Sequence, residues 1–342
     1  MQTEITKREK LLVGNGRLTR PGYARSPLQE YNPENIRVYP GRALNRLRLK
    51  EWDYYGITAR DFFFSATVSH IGYAGMVFVY FIDFAKGFCV ERSITIPLGK
   101  GCDLPHSSEQ GDILFENPGA RLSFVKKGDR RELSVWWKGF HEGDCEANIT
   151  LFEPRMDSLV ITTPIGAKRF YYNRKINCMP AEGSVTVAGK KRTFSRKDAM
   201  GTLDWGRGVW EYSSFWNWAS ASGFLPGGGS VGLNLGCGFG DLSAATENCF
   251  FINGAMTKLD WVDISYDPSS YMRPWYFSSR DGRLNLTLTP FFERVAKTNL
   301  LVIASEVHQM FGTYRGTLRT DAGREQRIDG LTGWAEEHRA RW

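Results

Sequence analysis

From residue 60 almost to its end, this chain alternates short apolar and aromatic runs with turn signals, and that rhythm limits its fold more than any other feature. No segment keeps a convincing helical period over three turns. Arg60–Ser69 and Met76–Phe84 are two aromatic runs, with Gly72 and Gly75 between them. Arg131–Trp137 and Ala147–Phe152 read as another pair of strands. Ser184–Ala188 and Arg192–Ser195 flank Gly189-Lys190, and Phe215–Ser222 and Val231–Gly236 flank Leu225-Pro-Gly-Gly-Gly. Asn248–Ile252 runs into Asn253-Gly254, the strongest short hairpin signal in the chain. Trp275–Ser279 and Arg283–Thr289 flank Asp281-Gly282; Val307–Arg319 and Arg324–Ile328 flank Asp321-Ala-Gly323. Successive antiparallel strands with short turns predict an all-β protein, and closure into up-and-down barrels removes the exposed edges. Thr332–Trp342 reads as a short closing helix. Aromatic residues make up 14% of the chain, which suits pleated faces better than helices.

The length of 342 residues favours two such units. A weak internal echo agrees: Trp52-Asp53 precedes Asp61-Phe-Phe-Phe-Ser-Ala, and Asp204-Trp205 precedes Ser214-Phe-Trp-Asn-Trp-Ala, each followed by a glycine turn. The expected organisation is an irregular basic N-terminal arm (1–50), a first barrel (51–200) and a second barrel (201–342).

The net charge of +7 sits wholly in that arm, which holds eleven Lys/Arg against four Glu, while the rest of the chain is neutral. No nucleic-acid partner is therefore expected for the body. For the arm, one reading is a weak membrane-surface or nucleic-acid contact. The other is an irregular segment wrapped round the barrel, which its scattered Leu, Tyr and Pro favour. The N-terminus lacks the apolar core of a signal peptide. The longest apolar stretch, 71–85, is too short to span a bilayer and contains Asp83. The six cysteines are widely spaced, with no CxxC, and suit reduced thiols in the cytoplasm.

Two glycine motifs fail on context. Gly228-Gly-Ser230-Val-Gly232 fits G-x-S-x-G, but a strand and not a helix follows, so the serine is no nucleophile elbow. Gly236-Cys-Gly238-Phe-Gly240 lacks both the dinucleotide spacing and a following helix. None of the five histidines pairs with another ligand at metal spacing, so no metal and no organic cofactor are expected.

The residues that point to chemistry cluster around Asp204, Trp205, Arg207, Trp210, Glu211, Trp216, Asn217 and Trp218. Charges among so many indoles should be partly desolvated in a barrel mouth or interior. A carboxylic acid there holds its proton, which equips it to protonate an alkene or enol ether, with the rings stabilising a cation. Alternatively, Asp204 and Arg207 pair and stitch a turn between the barrels. Glu247 is a second candidate acid, or else the hydrogen-bonding partner of Asn234, which sits between Leu233 and Leu235. Glu306 and His308 share a strand face and could form an acid–base pair, or a plain solvated face. Glu336, Glu337, His338 and Arg339 read as a charged C-terminal turn anchored by Trp334 and Trp342.

Longer motifs carry a family resemblance. Gly201-Thr-Leu-Asp-Trp-Gly-Arg-Gly-Val-Trp210, Phe215-Trp-Asn-Trp-Ala-Ser-Ala-Ser-Gly223, Gly232-Leu-Asn-Leu-Gly236, Thr246-Glu-Asn-Cys-Phe250, Trp52-Asp-Tyr-Tyr and the ending Gly333-Trp-Ala-Glu-Glu-His-Arg-Ala-Arg-Trp342 together resemble the domain-of-unknown-function family 2804. More distantly, the chain resembles the lipocalin-like carotenoid 1,2-hydratase (hydroxyneurosporene synthase) and cyclase group. That kinship implies two tandem lipocalin-like (calycin) barrels and an apolar pocket in which an acid protonates an alkene. It transfers no site residue by motif. The resulting expectation is a cofactor-independent hydratase, cyclase or isomerase acting on an isoprenoid-like or polyketide-like molecule. Asp204 and Glu247 would be its acids, Arg207 would orient the acid or grip an anionic end, and Trp205, Trp216 and Trp218 would line the pocket. The alternative is a non-catalytic carrier or sensor of a hydrophobic small molecule.

Overall fold

The computed structural model describes residues 2–153, 155–300 and 303–342. Residues 2–48 contribute three short strands, β1 (Glu9–Lys10), β2 (Gly22–Ala24) and β3 (Gln29–Glu30), and one seven-residue helix, α1 (Arg42–Arg48). The first large sheet is built from β2, which pairs with β12, and from β4 (Leu49–Ala59), β5 (Phe62–His70), β6 (Ala74–Asp83), β7 (Phe88–Pro97), β8 (Ile113–Asn117), β9 (Ala120–Lys127), β10 (Arg130–Trp137), β11 (Cys145–Phe152), β12 (Leu159–Ile165), β13 (Arg169–Val187), β14 (Lys190–Phe194) and β15 (Ala199–Val209). The second is built from β16 (Ser213–Phe224), β17 (Ser230–Cys237), β18 (Cys249–Ile252), β19 (Ala255–Lys258), β20 (Val262–Ser265), β21 (Trp275–Ser279), β22 (Leu284–Leu300), β23 (Ile303–Arg319) and β24 (Glu325–Arg341).

Both sheets follow one plan. Each has its last strand hydrogen-bonded antiparallel to its first: β15 to β4, and β24 to β16. The first sheet runs β7-β6-β5-β4-β15-β13-β11-β10-β9-β8, and the second β19-β18-β17-β16-β24-β23-β22-β21-β20. This is the order of an up-and-down barrel left open between two middle strands, so each sheet curls into a half-barrel of lipocalin-like form. The shared topology repeats one plan in the two sheets, but the Trp52 and Trp205 echo does not mark that repeat. Asp53 and Trp205 face each other on neighbouring strands of one sheet. The change of sheet falls between Val209 and Ser213, so β15, with Asp204 and Arg207, belongs to the first sheet and not to a second unit starting at 201.

Burial follows from what covers each face. In β8 to β11 buried and exposed residues alternate, because one face meets the core and the other meets water. In β5 and β15 nearly every residue is buried on both faces. One face meets the first core, which contains Tyr55, Phe64, Leu203 and Trp205; the other meets the second sheet. The second sheet encloses its own core, with Leu233, Leu235, Met310, Tyr314 and Ala335. Both barrel interiors are therefore filled by side chains. The sheets pack through a third layer, in which Tyr54, Phe63 and Tyr80 meet Trp218, Phe311 and Trp334.

A bulge in β13 ties the sheets together. Pairing slips between Ile176 and Met179, and Cys178 takes a left-handed φ of 60°. The slip aims Asn177 across the interface, where its Nδ2 donates to Ser220 Oγ (2.9 Å) and Leu233 O (3.1 Å).

Residues 2–48 pack on both sheets. Ile5, Leu11, Leu12, Tyr31 and Ile36 are buried in the first core. Arg25 pairs with Glu4 and Asp157 and donates to the Met256 carbonyl. Residues 332–341 are part of strand β24, not a closing helix. Among the described residues, no helix is long and apolar enough to cross a membrane.

Candidate functional site

A cavity of about 290 Å³ lies between the two sheets, outside both barrel interiors. Strand alternation decides which side chains reach it. On β15 the even positions Asp204 and Gly206 face the second sheet, and the odd positions Leu203, Trp205 and Arg207 face the first core. On β16 Trp216 and Trp218 face the cavity, while Ala219 and Ala221 fill the second core. On β23 Ser305, Val307 and Gln309 line the cavity, while Met310 lies in the second core. On β24 Glu336 and His338 line it.

Of the residues expected from sequence, Asp204, Glu247, Trp216 and Trp218 line this cavity. Asp204 is buried and paired: Lys175 Nζ lies 2.7 Å from Oδ2, and Asn173 Nδ2 donates to Oδ1 at 2.6 Å. Lys175 also sits 4.1 Å above the Trp218 ring. Glu247 lies against Gly236, where an added Cβ would come within 2.5 Å of its carboxyl carbon. Asn234, fully buried behind the wall, donates to the Glu247 carbonyl (2.7 Å) and carboxylate (3.3 Å), and accepts from Trp218 Nε1 (2.7 Å). Burial raises the Glu247 carboxyl above its ordinary range, although Lys175 and the Asn234 hydrogen bond act the other way.

The other expected residues lie elsewhere. Trp205 is one residue from Asp204 and so on the opposite face, in the first core. Arg207, three residues from Asp204, is also on that face; it is fully buried and stacked over Trp205 at 4.1 Å. Its guanidinium donates to Asp53 Oδ1 (2.9 Å) and to the carbonyls of Trp52 and Pro105. It therefore neither orients Asp204 nor reaches the cavity, and Asp204 and Arg207 do not pair. Glu306 and His308 do meet, at 2.9 Å, with Glu293 on the other imidazole nitrogen at 2.7 Å. Tyr271 stacks on His308 at 4.4 Å. This group is on the strand face that carries Met310, not on the cavity face.

Glu336, His338 and Lys50 are three of the cavity residues missed in the sequence. Glu336 is only 6% exposed. Its carboxyl accepts from Trp216 Nε1 (3.3 Å) and Gln309 Nε2 (3.1 Å). Gln309 in turn accepts from the Tyr80 hydroxyl (3.1 Å), which leaves Tyr54 as the donor to Tyr80 (2.8 Å). Burial raises Glu336 from 4.5 to about 7, the nearby Arg294 opposing the rise only in part. His338 stacks against Trp216 at 4.0 Å, with Nε2 2.8 Å from Ser305 Oγ. Burial, and then Arg294, lower it to about 3, so it is a neutral ring at physiological pH. Lys50 is the third: buried, and lowered to about 7 by burial and then by Arg48. A strand-like reading of Trp334, Glu336 and His338 as one face would have found two of the three.

The site thus combines a half-protonated buried carboxyl, a second carboxyl shifted the same way, and indole faces around apolar space. Such a set can deliver a proton to carbon and hold the resulting positive charge. Among the described residues, no group of three or more His, Cys, Asp or Glu is placed to hold a metal ion.

No curated protein matches the chain in sequence. Among solved structures, it is similar in fold to kievitone hydratase from Nectria haematococca, with 10% identity, a TM-score of 0.53 and 98% of each chain covered. CghA crystallised with Sch210972 is also similar, with 10% identity, a TM-score of 0.46, and 86% of this chain and 89% of that chain covered. At such identity the likeness to kievitone hydratase shows a shared fold. The match of residues 2–342 to the family model described as "Domain of unknown function (DUF2804)" identifies the lineage: the chain belongs to that family.

Proposed function

We propose that the cavity between the sheets is the active site of an acid–base enzyme that protonates a carbon–carbon double bond or enol of a hydrophobic small molecule. Hydratase, cyclase and isomerase chemistry all begin with that step. The observation that carries the reading is Glu336, a buried carboxyl raised to about 7 in the wall of an indole-lined cavity. An acid of that strength is half protonated near neutral pH and can both give and take back a proton. The name of the similarly folded kievitone hydratase suits this reading.

In the proposed step Glu336 gives its proton to one alkene carbon, and the neighbouring carbon becomes cationic. The faces of Trp216 and Trp218 and the ion-paired carboxylate of Asp204 stabilise that charge. Capture by water gives hydration, capture by a group within the substrate gives cyclisation, and loss of an adjacent C–H proton gives isomerisation. Each route releases one proton, which restores Glu336 directly or by way of Glu247. Asp204 and Glu247 keep a role from the sequence-based expectation. Arg207 and Trp205 do not.

The test reads proton delivery without knowing the product. The protein is incubated in deuterium oxide with a panel of isoprenoid and aryl alkenes and enol ethers, and carbon-bound deuterium is followed by mass spectrometry. Incorporation into at least one member, lost in Glu336→Gln with the fold intact, is the expected result. Incorporation that Glu336→Gln leaves unchanged would remove Glu336 as the acid. Binding of panel members with no incorporation into any would favour a carrier.

A further inference from the structure

Lys50 stands apart from the other charged groups of the cavity wall. Lys175 pairs with Asp204 and Arg294 with Glu91, while Glu247 and Glu336 accept hydrogen bonds from Asn234, Trp216 and Gln309. Lys50, on β4, is 1% exposed. Its Nζ makes one long hydrogen bond, 3.5 Å to the Ile71 carbonyl. The rings of Tyr73 and Trp342 lie 5.4 and 5.0 Å away. Among the described residues, no carboxylate lies within ion-pair distance. A buried amine held by one long hydrogen bond and two ring faces, with no counter-charge, costs the fold stability that an apolar side chain of the same length would not. The cost is recovered if the counter-charge arrives with the ligand.

We propose that Lys50 receives an acidic oxygen, a carboxylate or an ionised phenol or enol, at one end of the otherwise apolar molecule that the cavity binds. This rests on the reading of the cavity as a small-molecule site and narrows its substrate class. An anion beside Nζ restores the ammonium in a low-dielectric wall, where a charge-assisted hydrogen bond is strong. It also fixes which way round the molecule lies, so that one double bond is presented to the proton donor. Lys50 is a binding and positioning residue in this scheme.

The amine, lowered to about 7, should be largely neutral at pH 8 and take up a proton when an anion binds. Arg48 and Tyr73 are the charged and titratable groups beside it. The others around the cavity are Tyr54, Tyr80, Tyr171, Glu91, Lys175, Asp204, Glu247, Arg294, Glu336 and His338. They are common to the wild type and a Lys50→Met variant, so the difference between the two proteins isolates Lys50. The probes are decanoate and decan-1-ol, titrated calorimetrically at pH 8 in phosphate and in Tris, whose different ionisation enthalpies report proton uptake. In the wild type decanoate should bind about tenfold more tightly than the alcohol, as a charged hydrogen bond supplies. It should take up close to one proton per molecule bound. Lys50→Met should lose both the preference and the proton uptake and keep its affinity for decan-1-ol. Equal binding of the two probes by the wild type, or a preference and proton uptake that survive in Lys50→Met, would overturn the assignment while leaving the cavity reading in place. Failure of both probes to bind would overturn the cavity reading and this inference with it.

Discussion

Glu336 and Asp204 are both buried carboxyls, and their surroundings give them different behaviour. Glu336 is raised from 4.5 to about 7, so the folded state holds its proton more tightly than the unfolded chain does. Its contribution to stability is therefore greatest at low pH and is lost as pH rises from 4.5 to about 7. Between pH 5 and pH 8 the wild type should lose about 2 kcal/mol relative to Glu336→Gln, read from urea unfolding at each pH. The proposed reaction should fall as pH rises through about 7, since it needs the protonated acid. A pH–rate profile that stays level to pH 9 would contradict the catalytic statement, and an equal change of stability with pH in the two proteins would contradict the first. Asp204 is held by Lys175 instead, with both side chains buried. Asp204→Asn strands the ammonium and should cost about 3 kcal/mol, and adding Lys175→Met should recover most of it. Additive losses in the double variant would show that the pair does not act as a unit.

At the level of the strands, one residue of phase separates site from core. Asp204 reaches the cavity; Trp205 and Arg207, on the same strand, do not. Period-2 alternation applied to β15 would have excluded the last two from sequence alone. The hairpins were readable because their turns need unusual backbone angles: Asn253 and Gly254 both have positive φ, at 51° and 81°. The second half of strand β24 was not readable. Glu336 and Glu337 are buried on its opposite faces, so it carries no alternating apolar signal, and its charges resemble those of a solvated turn. Close approach between elements also sets the site. Gly236→Ala would place a methyl group 2.5 Å from the Glu247 carboxyl carbon and push that flexible side chain aside. The expected result is a melting temperature within about 4 °C of the wild type, a change of under 1 kcal/mol, with weakened ligand binding. A large loss of stability would mean that Glu247 is rigidly held.

Across the whole molecule, the two half-barrels share a layer of large rings, with Tyr54, Phe63 and Tyr80 against Trp218, Phe311 and Trp334. Separating them would expose that apolar surface to water. The sheets should therefore unfold together, with tryptophan fluorescence and far-ultraviolet circular dichroism following one denaturant transition. Two resolved transitions would show that each half is stable alone. Residues 2–48 reinforce the union, since Arg25 joins Glu4 and Asp157 to the backbone at Met256. The basic N-terminal segment places Ile5, Leu11, Leu12, Tyr31 and Ile36 in the first core, while Val13, Leu44 and Leu47 stay exposed.

The sequence by itself determined the all-β class, most hairpins and the existence of two barrel-like units, because turn chemistry and local alternation are encoded within a few residues. It also brought Asp204, Trp216 and Trp218 forward, because a carboxyl set among indoles is a compositional signal, and Glu247, because a polar group beside an apolar strand needs a partner. Only the tertiary structure decided where the empty space lies. Two sheets that each fill their own interior leave the cavity between their outer faces, and that packing joins residues more than 280 positions apart, from Lys50 to Glu336 and His338. No local pattern records such a meeting, since it depends on how two finished surfaces fit.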